Sequence, residues 1–211
     1  MSRPVLLIGI SGTTNSGKTT LAEHLQRKIP GCHIIHQDHY FLIPGDERLE
    51  YVPEVNHNNW EAYSSLDMDR MTDDVQCKKK LLAESPGSGP GILLVEGFNF
   101  FGYQIFPKKT QKDPMIKSNT QIPVAALIDK KYFLKVSRDV CLERRRKRTY
   151  NPADPPGYFD KVVWPMYEKH LKDIEDQDDI VYFDTSEENS LDDICRTIES
   201  QIKELIENVN Q

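Results

Sequence analysis

Residues Gly12-Thr13-Thr14-Asn15-Ser16-Gly17-Lys18-Thr19 satisfy the pattern G-x-x-x-x-G-K-[ST] at every position. The pattern constrains the fold because it works only as a turn from a strand into a helix. Its glycines let successive backbone N–H groups face inward around a phosphate, and the helix N-terminus adds partial positive charge at the same place. The flanking residues supply that context. Leu6 to Ile10 suits a buried strand, and Leu21, Ala22 and Leu25 repeat at helical spacing over Lys18 to Lys28. Lys18 is expected to reach the β- and γ-phosphate oxygens, and the Thr19 hydroxyl to ligate Mg²⁺. With Thr20, this run predicts a site for ATP or GTP.

The rest of the chain alternates strand-like and helix-like segments. Cys32 to His36 reads as a second strand that delivers Asp38 at its carboxyl end, and Met68, Met71, Val75 and Leu82 mark a helix. A third strand, Ile92 to Val95, ends in Glu96 and Gly97. The fourth is Tyr132 to Val136, with Ser137 as N-cap of the next helix, and the fifth is Ile180 to Phe183. Helical spacing over Phe159 to Gln177 is interrupted at Pro165, and Leu191 to Val209 closes the chain as an amphipathic helix. This order predicts an α/β fold, a parallel sheet with crossover helices. Pro44 to Asn59 shows no periodicity and reads as a loop or flap, and Lys108 to Thr120 as a polar surface excursion. Val124 to Ile128 is ambiguous. Asn151 to Gly157, with three prolines, reads as a rigid turn.

At 211 residues the chain suits one domain spanning 1–211, with a flap near 40–65 and a lid near 143–160. Hydrophobic residues at 38% and charged residues at 28% fit a globular protein, not a disordered one. The longest apolar runs fall far short of the roughly 20 residues that span a bilayer, so no membrane passage is expected. No separate signal-peptide pattern is visible at the N-terminus, which makes the cytoplasm the expected location, with the nucleus as a further possibility. Cys32, Cys77, Cys141 and Cys195 are too widely spaced for a zinc knuckle or redox pair and read as reduced thiols. Net charge is −6, but Asp173 to Asp193 holds ten acids and no Lys or Arg, leaving +4 on the remainder. Glu143 to Arg148 packs five positive charges into six residues. One short basic run in an acidic protein supports a local phosphate clamp and not a nucleic-acid surface.

Other residues separate the classes of nucleotide-binding protein. The Asn-Lys-x-Asp base reader of a GTPase is absent, and the one D-x-x-G, Asp154 to Gly157, lies among prolines away from any predicted strand end. A small-molecule kinase needs a carboxylate near the γ-phosphate to take the acceptor proton, and open α/β sheets bind ligands at the carboxyl ends of their strands. Asp38 stands there. Glu96, at the end of the third strand, suits a metal-bound water or a substrate hydroxyl.

The combination Ile8-Gly9-Ile10-Ser11-Gly12, Asn15 to Thr20, Gln37-Asp38, Glu96-Gly97-Phe98, Arg144-Arg145-Arg146, Pro156-Gly157-Tyr158-Phe159-Asp160 and Trp164-Pro165-Met166-Tyr167 resembles the nicotinamide riboside kinases. The opening block is shared with uridine kinases, whereas the last two blocks are more particular to this family. The resemblance implies a P-loop kinase fold with a five-stranded parallel sheet and a mobile lid. It implies phosphorylation of the ribose 5′-hydroxyl of nicotinamide riboside, and of nicotinic acid riboside, with ATP and Mg²⁺. By matching position, Asp38 becomes the general base and a metal-shell carboxylate, and Gln37 to Phe41, including His39, Tyr40 and Phe41, lines the nucleoside pocket. Trp60 and Glu61 stack on the base and hold the ribose diol. Arg145 contacts the substrate, Arg144 and Arg148 meet ATP phosphates, and Tyr150, followed by Asn151, gives the second aromatic face.

These roles are chemically coherent. A pyridinium cation between Trp60 and Tyr150 gains roughly 0.5 to 2 kcal/mol from the π faces, which uridine does not. Two positions depart from the family pattern: His39 follows the base where a second acid is usual, and Glu61 is one methylene longer than the usual Asp. The rival readings are a uridine or cytidine kinase and a nucleotide-binding sensor without turnover. The partners expected are the nucleoside and ATP, without nucleic acid or membrane, in a monomer or weak homo-oligomer.

Overall fold

A computed structural model describes residues 2–87, 89–98, 100–103, 122–187 and 190–209. Lys108 to Thr120 lies outside the described residues. The five expected strands form one parallel sheet in the order β2-β5-β1-β6-β7, where β1 is Val5–Gly12, β2 Cys32–His36, β5 Gly91–Glu96, β6 Lys130–Lys135 and β7 Ile180–Asp184. The helices are α1 (Lys18–Lys28), α2 (Met68–Glu84), α3 (Arg138–Arg146), α4 (Trp164–Lys172) and α5 (Ser190–Val209).

Both faces of the sheet are covered, which explains why its inner strands read as apolar runs and not as alternation. Leu7, Leu93, Val95 and Phe133 pack with Met71 and Val75 of α2 on one face. Ile8, Ile10, Ile92 and Leu94 pack on the other against Leu21 and Leu25 of α1 and Ile198 and Ile202 of α5. A third cluster is separate from these two. It joins Val55 of the flap to Cys141 of α3 and to Tyr158, Phe159, Val162 and Val163.

One local expectation is corrected and two are made specific. Pro44 to Asn59 is not structureless: Tyr51–Val52 (β3) and His57–Asn58 (β4) pair antiparallel around a 3₁₀ turn at Pro53–Val55. Two-residue strands are too short for periodicity to reveal. Val124–Leu127 is a 3₁₀ turn. The expected interruption at Pro165 takes the form of a π-helical turn, Phe159–Val163, that runs directly into α4, with Pro165 in the first turn of α4.

Strand registers bring the chemistry to one edge. Ile10 is level with Glu96, and His36 with Glu96, so the phosphate loop, Asp38 and Glu96 leave neighbouring strands at the same carboxyl-terminal end.

Candidate active site

The phosphate loop has the conformation its glycines permit. Gly12 has φ +143, and a Cβ there would stand 2.1 Å from the Leu134 carbonyl oxygen. Thr13 N–H donates to Leu134 O at 3.0 Å and Ser16 N–H to Thr13 O at 3.2 Å, closing the turn. Lys18 is buried at the base of α1 and its Nζ donates to Thr13 O at 2.7 Å. Burial lowers its pKa, opposed by the carboxylates of Glu96 and Asp38. Ser16 Oγ is fully buried and has no hydrogen-bond partner among the described residues, a polar group fitted to an anion in the loop. Thr20 is exposed in the first turn of α1.

Thr19 Oγ1 donates to Glu96 Oε1 at 3.1 Å, and His36 Nδ1 lies 2.8 Å from Glu96 Oε2. Glu96 is therefore held on both oxygens. Burial pushes its pKa up, but the hydrogen bond with His36 and the charge of Lys18 outweigh this and hold it below the ordinary range. His36 is raised in turn, first by that hydrogen bond. Asp38 faces solvent, yet the surrounding walls desolvate its carboxyl and raise its pKa, with Glu96 adding to the rise. Two mutually repelling acids beside a threonine hydroxyl form a hard-oxygen set that suits Mg²⁺ once phosphate oxygens complete the shell. Among the described residues no group of three or more His, Cys, Asp or Glu could hold a metal alone.

Beside Asp38 opens a cavity of about 380 Å³ lined by Thr14, Asp38, Phe41, Trp60, Glu61, Arg145, Arg148, Tyr150 and Asn151, nine residues singled out from sequence, and also by Phe98, Asp154 and Tyr158. The buried Arg145 guanidinium organises its charged side. Its Nε donates to Asp154 Oδ2 at 2.5 Å and Nη2 to Asp154 Oδ1 at 3.1 Å, while Nη1 lies 3.4 Å from both Glu61 Oε1 and Thr14 Oγ1. It also lies 4.4 Å from the centre of the Tyr150 ring. Burial pushes the Glu61 pKa up and Arg145 opposes it. For Arg145 burial acts downward, but the hydrogen bond to Asp154 and the charge of Glu61 prevail, so its pKa is raised. On the aromatic side Phe41 meets Trp60 edge-on at 6.0 Å and stacks on Phe98 at 5.9 Å.

Some expected residues are placed elsewhere. Tyr40 is buried against α2, where its hydroxyl donates to Asp74 Oδ2 at 2.9 Å. His39 is exposed beside His36 and does not line the cavity. Arg144 donates to Asn15 O at 3.3 Å and to Thr185 O at 2.8 Å, so it bridges the phosphate loop to the segment after β7. Asp154 and Tyr158 were not picked out as site residues. In the sequence Asp154 stands out only as part of a D-x-x-G away from any strand end, and no local pattern shows that it meets Arg145. Phe98 lay within the Glu96-Gly97-Phe98 block, and its N–H donates to Gln37 Oε1 at 2.9 Å. That close approach requires Gly97, where a Cβ would stand 2.4 Å from the same oxygen.

A phosphate cradle leading into α1, with a carboxylate at the end of a nearby strand and a separate aromatic-walled cavity beside it, defines a P-loop phosphotransferase acting on a small acceptor. Comparisons with known proteins agree. A family model described as an AAA domain matches residues 8–165. "Nicotinamide riboside kinase 1" of Rattus norvegicus is 34% identical over 216 residues, covering 97% of this chain and 97% of that protein. "Nicotinamide riboside kinase 2" of Mus musculus is 37% identical over 190 residues, covering 85% and 87%. A solved gluconokinase from Sinorhizobium meliloti 1021 shares the fold, with a TM-score of 0.52 at 15% identity over 98% of this chain and 97% of that one. The chain belongs to the nicotinamide riboside kinase family. Among the described residues no helix is long and apolar enough to cross a membrane.

Proposed function

We infer that this protein transfers the γ-phosphoryl group of ATP to the ribose 5′-hydroxyl of nicotinamide riboside, making the mononucleotide in NAD salvage. The observation that carries this is the cavity: Asp38 and Thr14 face the same 380 Å³ volume as the Trp60 and Tyr150 rings. An acceptor hydroxyl and a flat cationic base can therefore be held together beside the phosphate loop.

In this reading the phosphate loop and Lys18 hold the triphosphate, and Trp60 and Tyr150 flank the pyridinium. Glu61 and Arg145 take the ribose diol. Asp38 accepts the 5′-hydroxyl proton as the new O–P bond forms, and the bond from the γ-phosphorus to the β–γ bridging oxygen breaks to leave ADP. A carboxyl whose pKa is raised above the ordinary aspartate value, here by burial and by Glu96, is better matched to that proton than a surface aspartate. Arg148, exposed at the cavity edge, and Arg144 meet developing negative charge, as the 143–160 segment closes over the nucleotide. Thr19 and Asp38, with Glu96 supporting Thr19, would hold Mg²⁺, which when bound neutralises phosphate charge.

The test is ADP release with nicotinamide riboside, nicotinic acid riboside, uridine and cytidine as separate acceptors. Nicotinamide riboside is expected to give a far higher kcat/KM than uridine or cytidine. Preference for uridine overturns the substrate assignment, and binding of ATP and nicotinamide riboside without mononucleotide overturns the activity.

A further inference from the structure

The cavity wall that carries Trp60 and Glu61 directly follows β4 of the two-stranded β3–β4 sheet. Local bonds hold it, Asn59 N–H to Glu50 O at 2.7 Å and the Ser65 hydroxyl to Trp60 O at 2.9 Å, and a further tether reaches it from across the molecule. Trp60 N–H donates to the Tyr158 hydroxyl oxygen at 2.9 Å, and that hydroxyl donates to Asn58 O at 3.1 Å. Trp60 N–H also lies 3.2 Å from Asn58 O, so the three groups close a triangle at the end of β4. The Tyr158 ring is 1% exposed, meets His57 edge-on at 5.2 Å and lines the cavity. It also lies near Arg145, whose guanidinium is 5.9 Å from the ring centre. Tyr158 thus holds the Trp60 segment through its hydroxyl and lies beside the charged group of Arg145 with its ring. Burial raises the pKa of the phenol, which keeps the hydroxyl protonated and able to donate and accept at once.

We propose that Tyr158 is a positioning residue for the nucleoside, whose hydroxyl sets the Trp60 wall at the distance from Arg145 and Tyr150 that the bound base and ribose require. This rests on the reading of the cavity as the nucleoside site. The hydroxyl contacts the polypeptide and not the substrate, so its effect reaches the nucleoside through Trp60.

The experiment compares wild type, Tyr158→Phe, Trp60→Ala and the double variant, with KM for nicotinamide riboside, KM for ATP, kcat and melting temperature measured for each. Tyr158→Phe keeps the ring and removes the tether. The expected result is a rise of about threefold to tenfold in nicotinamide riboside KM, since one buried hydrogen-bonding group is lost while Trp60 N–H keeps Asn58 O. KM for ATP and kcat are expected within about twofold of wild type. In the Trp60→Ala background the same change is expected to raise nicotinamide riboside KM less than twofold, because coupled residues are not additive. A nicotinamide riboside KM within twofold of wild type overturns the proposal, as does an equal penalty in the Trp60→Ala background or a fall in kcat with both KM values rising together. If Tyr158→Phe is too unstable to assay, the role is structural and the proposal fails. If wild type itself prefers uridine, the nucleoside reading has failed instead, and the two failures are separable.

Discussion

Replacing Asp38 by Asn is expected to move activity and stability in opposite directions. The amide matches the carboxylate in size but cannot take up the acceptor proton, and loss of a positioned general base typically costs a hundredfold to ten-thousandfold in kcat, about 3 to 5.5 kcal/mol of barrier. Lys18, with its bond to Thr13, and the loop itself are untouched, so KM for ATP is expected to stay within a few fold. In the folded protein without nucleotide, burial and Glu96 disfavour the Asp38 charge and raise its pKa above the ordinary 3.8. An acid raised on folding carries a cost that is present above its folded pKa and vanishes below its unfolded one. At pH 7 the amide removes that cost. Because water reaches Asp38 and screens it, the gain is expected near the low end for relief of charge, about 0.5 kcal/mol or roughly 1 to 2 °C in a chain of this size. The assay pairs coupled ADP release with thermal melting in EDTA without nucleotide. Near-normal kcat would refute Asp38 as the base. A clear drop in Tm would refute the electrostatic account of its environment.

Trp60→Ala is expected to raise KM for nicotinamide riboside about twofold to thirtyfold, the span of a lost cation–π contact, with a much smaller change for ATP; equal rises for both substrates would remove Trp60 from the base site. His170 of α4 is buried, its Nε2 donates to Glu61 O at 2.8 Å, and burial lowers its pKa below 6.5. A histidine depressed on folding gives stability that is present above its unfolded pKa and lost as pH falls through the folded one. Melting scans from pH 7 to pH 5 should therefore show a steeper loss for wild type than for His170→Gln, which keeps a donor and cannot titrate; parallel curves would count against this.

Much of the fold and part of the site could be read from local patterns. The phosphate loop is contiguous, and its chemistry depends on backbone amides, glycine conformations and a helix start, all local properties. The inner strands β1 and β5 are legible because burial on both faces leaves apolar runs such as Leu6 to Ile10 and Ile92 to Val95. Asp38 and Glu96 could be singled out because the carboxyl ends of parallel strands gather at one edge whatever the exact strand order. The β3–β4 pair and the 3₁₀ turn at Val124–Leu127 are too short to leave a periodic signature.

Contacts between residues far apart in the chain were a different matter. The basic run at Glu143 to Arg148 marked a clamp, but nothing in it said that Arg145 would turn inward onto Asp154 and Glu61 while Arg144 bridged Asn15 and Thr185. Tyr40 and Phe41 are adjacent, yet one supports α2 and the other faces the cavity. The triangle of Tyr158, Trp60 and Asn58 spans about a hundred residues of chain. Backbone geometry and burial are dictated by near neighbours and by the periods of strand and helix. A side chain's partner is chosen by which surfaces the packed sheet, flap and α3 bring within hydrogen-bond reach, and only the folded chain sets that.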